Sequence, residues 1–181
     1  MTADERDLVT RLKHGDNDAL KTLFERYQPL LYKTLLYRAG DAQLSQDLVQ
    51  DSFLKVWTRR ETLKPDLPFF PLLVKIGRNL LQDHFKHLQV RSKHQETVRF
   101  VTERDVVQPD ATLKQKLLEA KIREVATTKL ATRCREVFAL SRAGGLKNDQ
   151  IAATLGISKK TVENQLSQAL KVLRKHLQDF L

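Results

Sequence analysis

Between residues 148 and 173 the chain reads NDQIAATLGISKKTVENQLSQALKVL, and apolar side chains recur there at spacings of three and four. That spacing is satisfied by two helices, one short and one long. Ile151, Ala152 and Leu155 share a face of the first, and Val162, Leu166, Ala169, Leu170 and Leu173 share a face of the second. Gly156 between them tolerates left-handed geometry, Ile157 packs the corner, and Ser158 can cap the second helix by accepting from its free N–H groups. The opposite face of the second helix offers Lys159, Lys160, Glu163, Asn164, Ser167, Gln168 and Lys171. Charges for phosphates and amides for base edges are what a helix lying in a DNA major groove needs. An ordinary helical hairpin with a solvated face would share the periodicity. The corner glycine, the cap and the amide-rich outer face favour a helix-turn-helix.

The rest of the chain obeys the same period. With only 6 Gly and 5 Pro in 181 residues, an all-α protein is expected. The spacing predicts helices over 4–14, 17–39, 42–60 and about 70–87, with a loop over 62–67 where Pro65 and Pro68 intervene. The second of these has Leu20, Leu23, Phe24, Tyr27, Leu31 and Leu35 as its core stripe. From 88 to 110 the pattern decays, with room for local helix at its start, and this stretch is the expected flexible linker. A second helical set begins near Ala111, with one helix around 113–125 and another over 133–143 ended by Gly144 and Gly145. The expectation is two helical domains, 1–87 and 111–181, joined by 88–110, with the helix-turn-helix in the second.

The formal net charge of +10 is unevenly placed: 14 basic side chains face 12 acidic ones up to His87, but 14 face 6 from Ala111 onward. A positive field concentrated on the helix-turn-helix half favours a polyanionic partner. A membrane-surface helix would also use basic residues, yet no helix here joins a rich basic face to a broad aromatic one. Cys134 is the only cysteine, so an intrachain disulfide is excluded and a reducing compartment is the natural home. The polar start, MTADERDLVT, lacks an apolar signal core, and no run approaches the roughly twenty apolar residues of a membrane span. A cytoplasmic protein without membrane insertion is expected. The five histidines are scattered, and no nucleophile, phosphate loop or metal-ligand cluster stands out. No catalytic residue, metal or cofactor is assigned, and the chain is not expected to be an enzyme.

Two further surfaces are not explained by a core. In the helix over 42–60, Leu44, Leu48, Val49, Phe53 and Val56 spread over one side, while Leu54 sits on the other among Asp47, Gln50 and Asp51. A leucine ringed by carboxylates and an amide suits a small docking interface, although a lone exposed leucine is common. In the helix over 70–87, Lys75, Arg78, Asn79, Gln82 and Lys86 form one stripe, with Phe69 and Phe70 just before it. Cations for phosphates and rings for exposed bases suit single-stranded nucleic acid. The plainer alternative is a solvated stripe and two core phenylalanines.

The order of these parts resembles an RNA polymerase sigma factor of the two-domain extracytoplasmic-function type. QDLVQDSFLKVW is similar to that family's polymerase-binding helix, FFPLLVKIGRNLLQDHFK to its helix for the melted promoter element, and the run RCREVFALSRAGGLKNDQIAATLGISKKTVENQLSQALKVLRK to its second DNA-binding domain. The resemblance implies that Asp47, Gln50, Asp51 and Leu54 dock on core RNA polymerase. It implies that Lys75, Arg78, Asn79 and Lys86, with the loop from Arg60 to Phe69, hold the opened promoter strand. It gives Lys159, Lys160, Thr161, Glu163, Asn164, Ser167 and Gln168 the reading of upstream promoter DNA, and it implies an anti-sigma factor as a further partner. Two departures stand out. Leu72 and Val74 occupy positions where the family usually has aromatic residues, and Lys147 replaces a small capping hydroxyl, leaving Asn148 as the expected cap. The competing reading is a stand-alone helix-turn-helix regulator that binds duplex DNA as a dimer.

Overall fold

The computed structural model describes residues 3–92 and 113–178. Its elements are α1 (Ala3–Lys13), α2 (Asn17–Ala39), α3 (Ala42–Thr58), a 3-10 turn (Arg60–Thr62), α4 (Phe69–Ser92), α5 (Leu113–Lys129), α6 (Thr132–Arg142), α7 (Asn148–Leu155) and α8 (Lys159–His176). Among the described residues there is no strand, and no helix is long and apolar enough to cross a membrane.

Local chemistry sets most of the boundaries. Asp16 caps α2 by accepting from the N–H groups of Asp18 and Ala19. The Ala19 N–H, and then the Arg11 guanidinium at 2.8 Å, hold the Asp16 carboxyl below its ordinary pKa. Gly40, at φ 72°, ends α2 in the left-handed conformation, and Asp41 at once caps α3 through the Leu44 N–H.

α4 has no such local cap. Its first N–H, from Phe69, donates instead to Glu5 of α1 at 2.9 Å, across 64 positions of sequence. Glu5 is buried, so a carboxylate inside the fold is compensated by a helix N-terminus and its dipole. Glu5→Ala should therefore cost on the order of 2 kcal/mol, read as a shift in the urea midpoint of the full chain. The same carboxylate faces Tyr27. Burial, and then the charge of Glu5, push the Tyr27 hydroxyl from 10.0 up to about 12. Between those two values the unfolded chain loses this proton while the folded chain keeps it, so stability falls as pH rises through that window. Thermal melts from pH 9.5 to 12 should show the decline, and Tyr27→Phe should flatten it.

Helix α6 is apolar on too many sides to belong to one face. Val137 and Leu140 point into a core built with Leu12, Leu23, Leu31, Leu35, Phe53, Val56, Phe69, Leu73 and Leu81 of the first four helices. That core continues into the helix-turn-helix through Ile151, Leu155 and Val162. Cys134 and Phe138 point the other way, into a second core with Val125 and Ala126 of α5, Leu130 just after it, and Ala169, Leu173 and Leu177 near the end of the chain. Tyr37 of α2 meets Phe138 edge-on at 5.9 Å. Both halves are helical, as expected, and here they pack on one another. The expected linker begins within the last turn of α4, and most of 88–110 lies outside the described residues.

The structure decides one alternative that the sequence leaves open and changes two expectations. Phe69 and Phe70 are both buried, the first against α1 and α2 and the second beneath the turn after α6, so neither ring is open to a base. Phe24, expected in the core stripe of α2, is 37% exposed: its ring meets Phe53 edge-on at 4.8 Å and lines the open groove beside Leu54. Leu170 is also 37% exposed, while Ala169 and Leu173 fill the buried stripe.

Candidate nucleic-acid interface

The helix-turn-helix has the geometry its residues require. Gly156 adopts φ 62° and donates to the Ala152 carbonyl, and the Ile157 N–H also bonds Ala152 at 3.0 Å. Ser158 then caps α8, accepting from the Thr161 N–H at 3.0 Å. The Thr161 side chain lies 2.8 Å from the same oxygen, so its hydroxyl is engaged in the cap and half-buried rather than presented outward. Asn148 is not the cap of α7 as expected. Lys147 holds that position, and an ammonium has no lone pair to accept an N–H. The gap is filled from the other side, where the Gln150 amide oxygen accepts from the Lys147 N–H at 2.9 Å.

Lys160, Asn164, Ser167 and Gln168 are exposed along one face of α8, with Glu163 half-buried at its edge. Lys159 is exposed but tied to Asp149 of α7 at 3.1 Å, whereas Lys160 reaches Glu163 only at 4.0 Å. The exposed face continues through Lys171, Arg174 and Lys175, the last two outside the residues assigned from sequence. Their spacing of three and four from Lys171 was the available signal.

On α3, Asp47, Gln50 and Asp51 are exposed and Leu54 is 62% exposed in their midst. Asp47 accepts from the Gln43 amide at 3.0 Å, which fixes one edge of the patch. Beside Leu54 runs a shallow groove of about 500 Å³ lined by Leu20, Phe24, Phe53 and Trp57. The apolar surface is thus larger than one leucine, and Phe24 and Trp57 are the part that sequence missed. Trp57 is covered on one side by the Arg60 guanidinium, 4.7 Å from its ring.

On α4 the expected stripe is only partly assembled. Lys75, Asn79 and Lys86 are exposed, with Asp83 3.6 Å from Lys86. Arg78 turns away. At about 100° per residue it lies roughly 60° off Lys75, at the edge of the stripe nearest α6, and its side chain is 23% exposed. It approaches Glu136 of α6 at 3.9 Å, with its Nε buried and unpartnered. Arg38 of α2 forms a close ion pair with the same carboxylate, and Arg133 reaches it at 3.4 Å. Glu136 is 7% exposed, so one buried carboxylate serves three guanidiniums from three helices. Burial pulls Arg38 below its ordinary pKa, with the charge of Glu136 opposing that. Of the two residues that depart from the family pattern, Leu72 faces solvent and Val74 is buried towards α6.

Comparison with known proteins gives these surfaces a common setting. Residues 23–91 match the family described as Sigma-70 region 2, and residues 124–173 match Sigma-70, region 4. The RNA polymerase sigma factor CnrH of Cupriavidus metallidurans is 32% identical over 171 residues, covering 91% of this chain and 90% of that protein. Other relatives carry the name ECF RNA polymerase sigma factor. Among solved structures, CnrH in complex with the cytosolic domain of CnrY superposes with a TM-score of 0.72 at 24% identity, covering 97% of each chain. The sigma factor RpoE in complex with the anti-sigma factor NepR from Bartonella quintana gives 0.72 at 19% identity, covering 87% of this chain and 96% of that one. The fold is theirs, α3 and α4 up to Arg91 fall inside region 2, and α6 to α8 fall inside region 4 up to Leu173: the chain belongs to the extracytoplasmic-function RNA polymerase sigma factors.

Proposed function

We propose that this chain is a promoter-specificity subunit that binds core RNA polymerase through α3, holds the opened promoter strand on α4 and reads upstream promoter DNA with α8. The observation that carries the reading is the pattern of outward faces on α3, α4 and α8. An apolar patch rimmed by Asp47, Gln50 and Asp51 suits a protein partner. The cation-and-amide faces of α4 and α8 suit nucleic acid. The chain itself supplies contacts and no chemistry, and polymerase makes the phosphodiester bonds. It works in the cytoplasm, where its template is, with 88–110 spanning the distance between the two DNA-binding units. An anti-sigma factor holds it in reserve; such a partner accompanies the RpoE relative in its solved structure.

Reconstituted transcription tests this directly. Purified core polymerase with this chain should initiate at discrete start points on genomic promoter fragments, and core polymerase alone should not. Nanomolar, sequence-specific binding by the free protein as a dimer, without any effect on polymerase initiation, would favour the stand-alone regulator.

A further inference from the structure

Helix α1 lies before residues 23–91, the span that matches Sigma-70 region 2, and none of the faces assigned on α3, α4 and α8 includes it. Its contacts nevertheless converge on the segment between α3 and α4. The Glu5 carboxylate accepts from the Phe69 N–H at 2.9 Å and so marks where α4 begins. Pro71 has no N–H to offer, which leaves Phe69 as one of the few free donors at that end. On the next residue of α1, the Arg6 guanidinium meets Asp66 at 2.6 Å. Asp66 belongs to a hydrogen-bonded turn, in which the Leu67 N–H donates to the Lys64 carbonyl at 3.0 Å with Pro65 second in the turn. Leu63 and Phe69 are buried and root the two ends of this turn in the core, while Lys64, Asp66 and Leu67 are exposed. Tyr27 of α2 packs on the Phe69 and Phe70 rings, each at 5.7 Å, behind the seam that Glu5 closes.

We propose that Glu5 and Arg6 of α1 are positioning residues for promoter-strand selection: they set the register and aim of the 64–67 turn against α4, and thereby which bases of the opened strand it accepts. This rests on the assignment of the 60–69 segment and α4 to that strand. Both residues act through the turn, without touching DNA. Recognition of unpaired bases by a surface turn depends on how rigidly the scaffold presents it. The Glu5 bond is buried, directed and charge-assisted, so it sets the position. Its loss leaves the Phe69 N–H inside the fold without that acceptor, and a helix start that shifts or frays carries the turn with it. The Arg6 pair is exposed on both sides, 62% and 72%, so solvent and salt screen it and it only trims the aim.

The experiment uses the full chain bound to core polymerase and reads a ratio. Anisotropy compares labelled single-stranded oligonucleotides of the non-template strand, one with the melted element of a promoter that the enzyme opens, the others with single-base substitutions in it. A variant that is merely less stable lowers the active fraction and leaves the ratio of affinities unchanged. Glu5→Ala should lower that ratio roughly ten-fold, the scale of one base's share of specificity. In the free protein the Phe69 amide should lose its protection from hydrogen exchange. Glu5→Gln keeps an oxygen that can accept this N–H and should restore both the ratio and the protection. Asp41→Ala removes the side-chain cap of α3, at the end of that helix remote from the turn, and should leave the ratio intact. Arg6→Ala spares the core and should lower the ratio roughly two- to five-fold at low salt, the difference vanishing at high salt. It carries the test if Glu5→Ala does not fold. An unchanged ratio in Glu5→Ala with the Phe69 amide exchanging freely overturns the proposal, as does an unchanged ratio in Arg6→Ala where that variant decides. An equal loss in Asp41→Ala also overturns it, since the ratio would then follow stability. Lys64→Ala with Lys75→Ala separates such a failure from one in the underlying assignment. Weaker binding to every oligonucleotide keeps the strand on this face and overturns the positioning alone, whereas unchanged binding removes the strand from it.

Discussion

Leu54→Ala should weaken binding to core RNA polymerase by about 2 kcal/mol, roughly thirty-fold, the loss expected if the docking proposed for α3 desolvates a leucine that is open in the free chain. The same substitution lowers the melting temperature of the free protein by no more than about 2 °C, since a side chain 62% exposed contributes little to folding. Titration of labelled protein with core polymerase gives the first number and a thermal melt gives the second. Phe24 and Trp57 line the groove next to Leu54, so Phe24→Ala should weaken the same binding, with part of its effect appearing as lost stability through Phe53. If Leu54→Ala melts many degrees early and binds polymerase normally, the face of α3 has been assigned to the wrong side.

The surfaces made within single helices were legible from sequence, because periodicity reports which residues share a face. Leu54 among carboxylates, the cap at Ser158 and the outward run from Lys160 to Gln168 all follow from spacings of three and four within one element. What spacing does not report is which face meets which. Arg78 sits where a DNA contact belongs and is instead drawn to a residue 58 positions later; Arg38 pairs with the same Glu136 across 98. Phe69 and Phe70 looked equally suited to a base and to a core until α1, α2 and the turn after α6 were placed around them. A signal for the contact was present in α6. Val137, Phe138, Ala139 and Leu140 are four successive apolar residues, and no single face of a helix holds four in a row. Such a helix must be covered on opposite sides. A lone Glu136 directly before that run needs a buried cation for the same reason. The Glu5 cap of α4 left no comparable trace, because a helix start without a local cap says only that a partner is missing, not where it comes from.

On upstream promoter DNA, Lys160→Ala and Gln168→Ala should have effects of different kinds. Lys160 stands in the first turn of α8, is exposed, and has only a distant partner in Glu163 at 4.0 Å. A cation there is placed to meet phosphate in the proposed complex, so its loss should weaken every duplex alike and reduce the slope of log affinity against log salt by about one unit. Lys159 is the instructive neighbour. Its ammonium is already paired with Asp149 across the turn, so Lys159→Ala should change the salt slope less than Lys160→Ala. Gln168 lies one turn beyond Asn164 on the exposed face, where an amide can donate and accept against an adenine edge. Gln168→Ala should cost about 1–3 kcal/mol on the preferred sequence, leave other sequences nearly untouched, and keep the salt slope unchanged. The comparison is made with the polymerase-bound protein on a panel of promoter variants at several salt concentrations. Polymerase is included because the chain alone is expected to bind weakly, tight binding being expected only when both halves are presented at once. Equal losses from Lys160→Ala and Gln168→Ala on every sequence would mean that α8 grips the backbone and reads no base through Gln168.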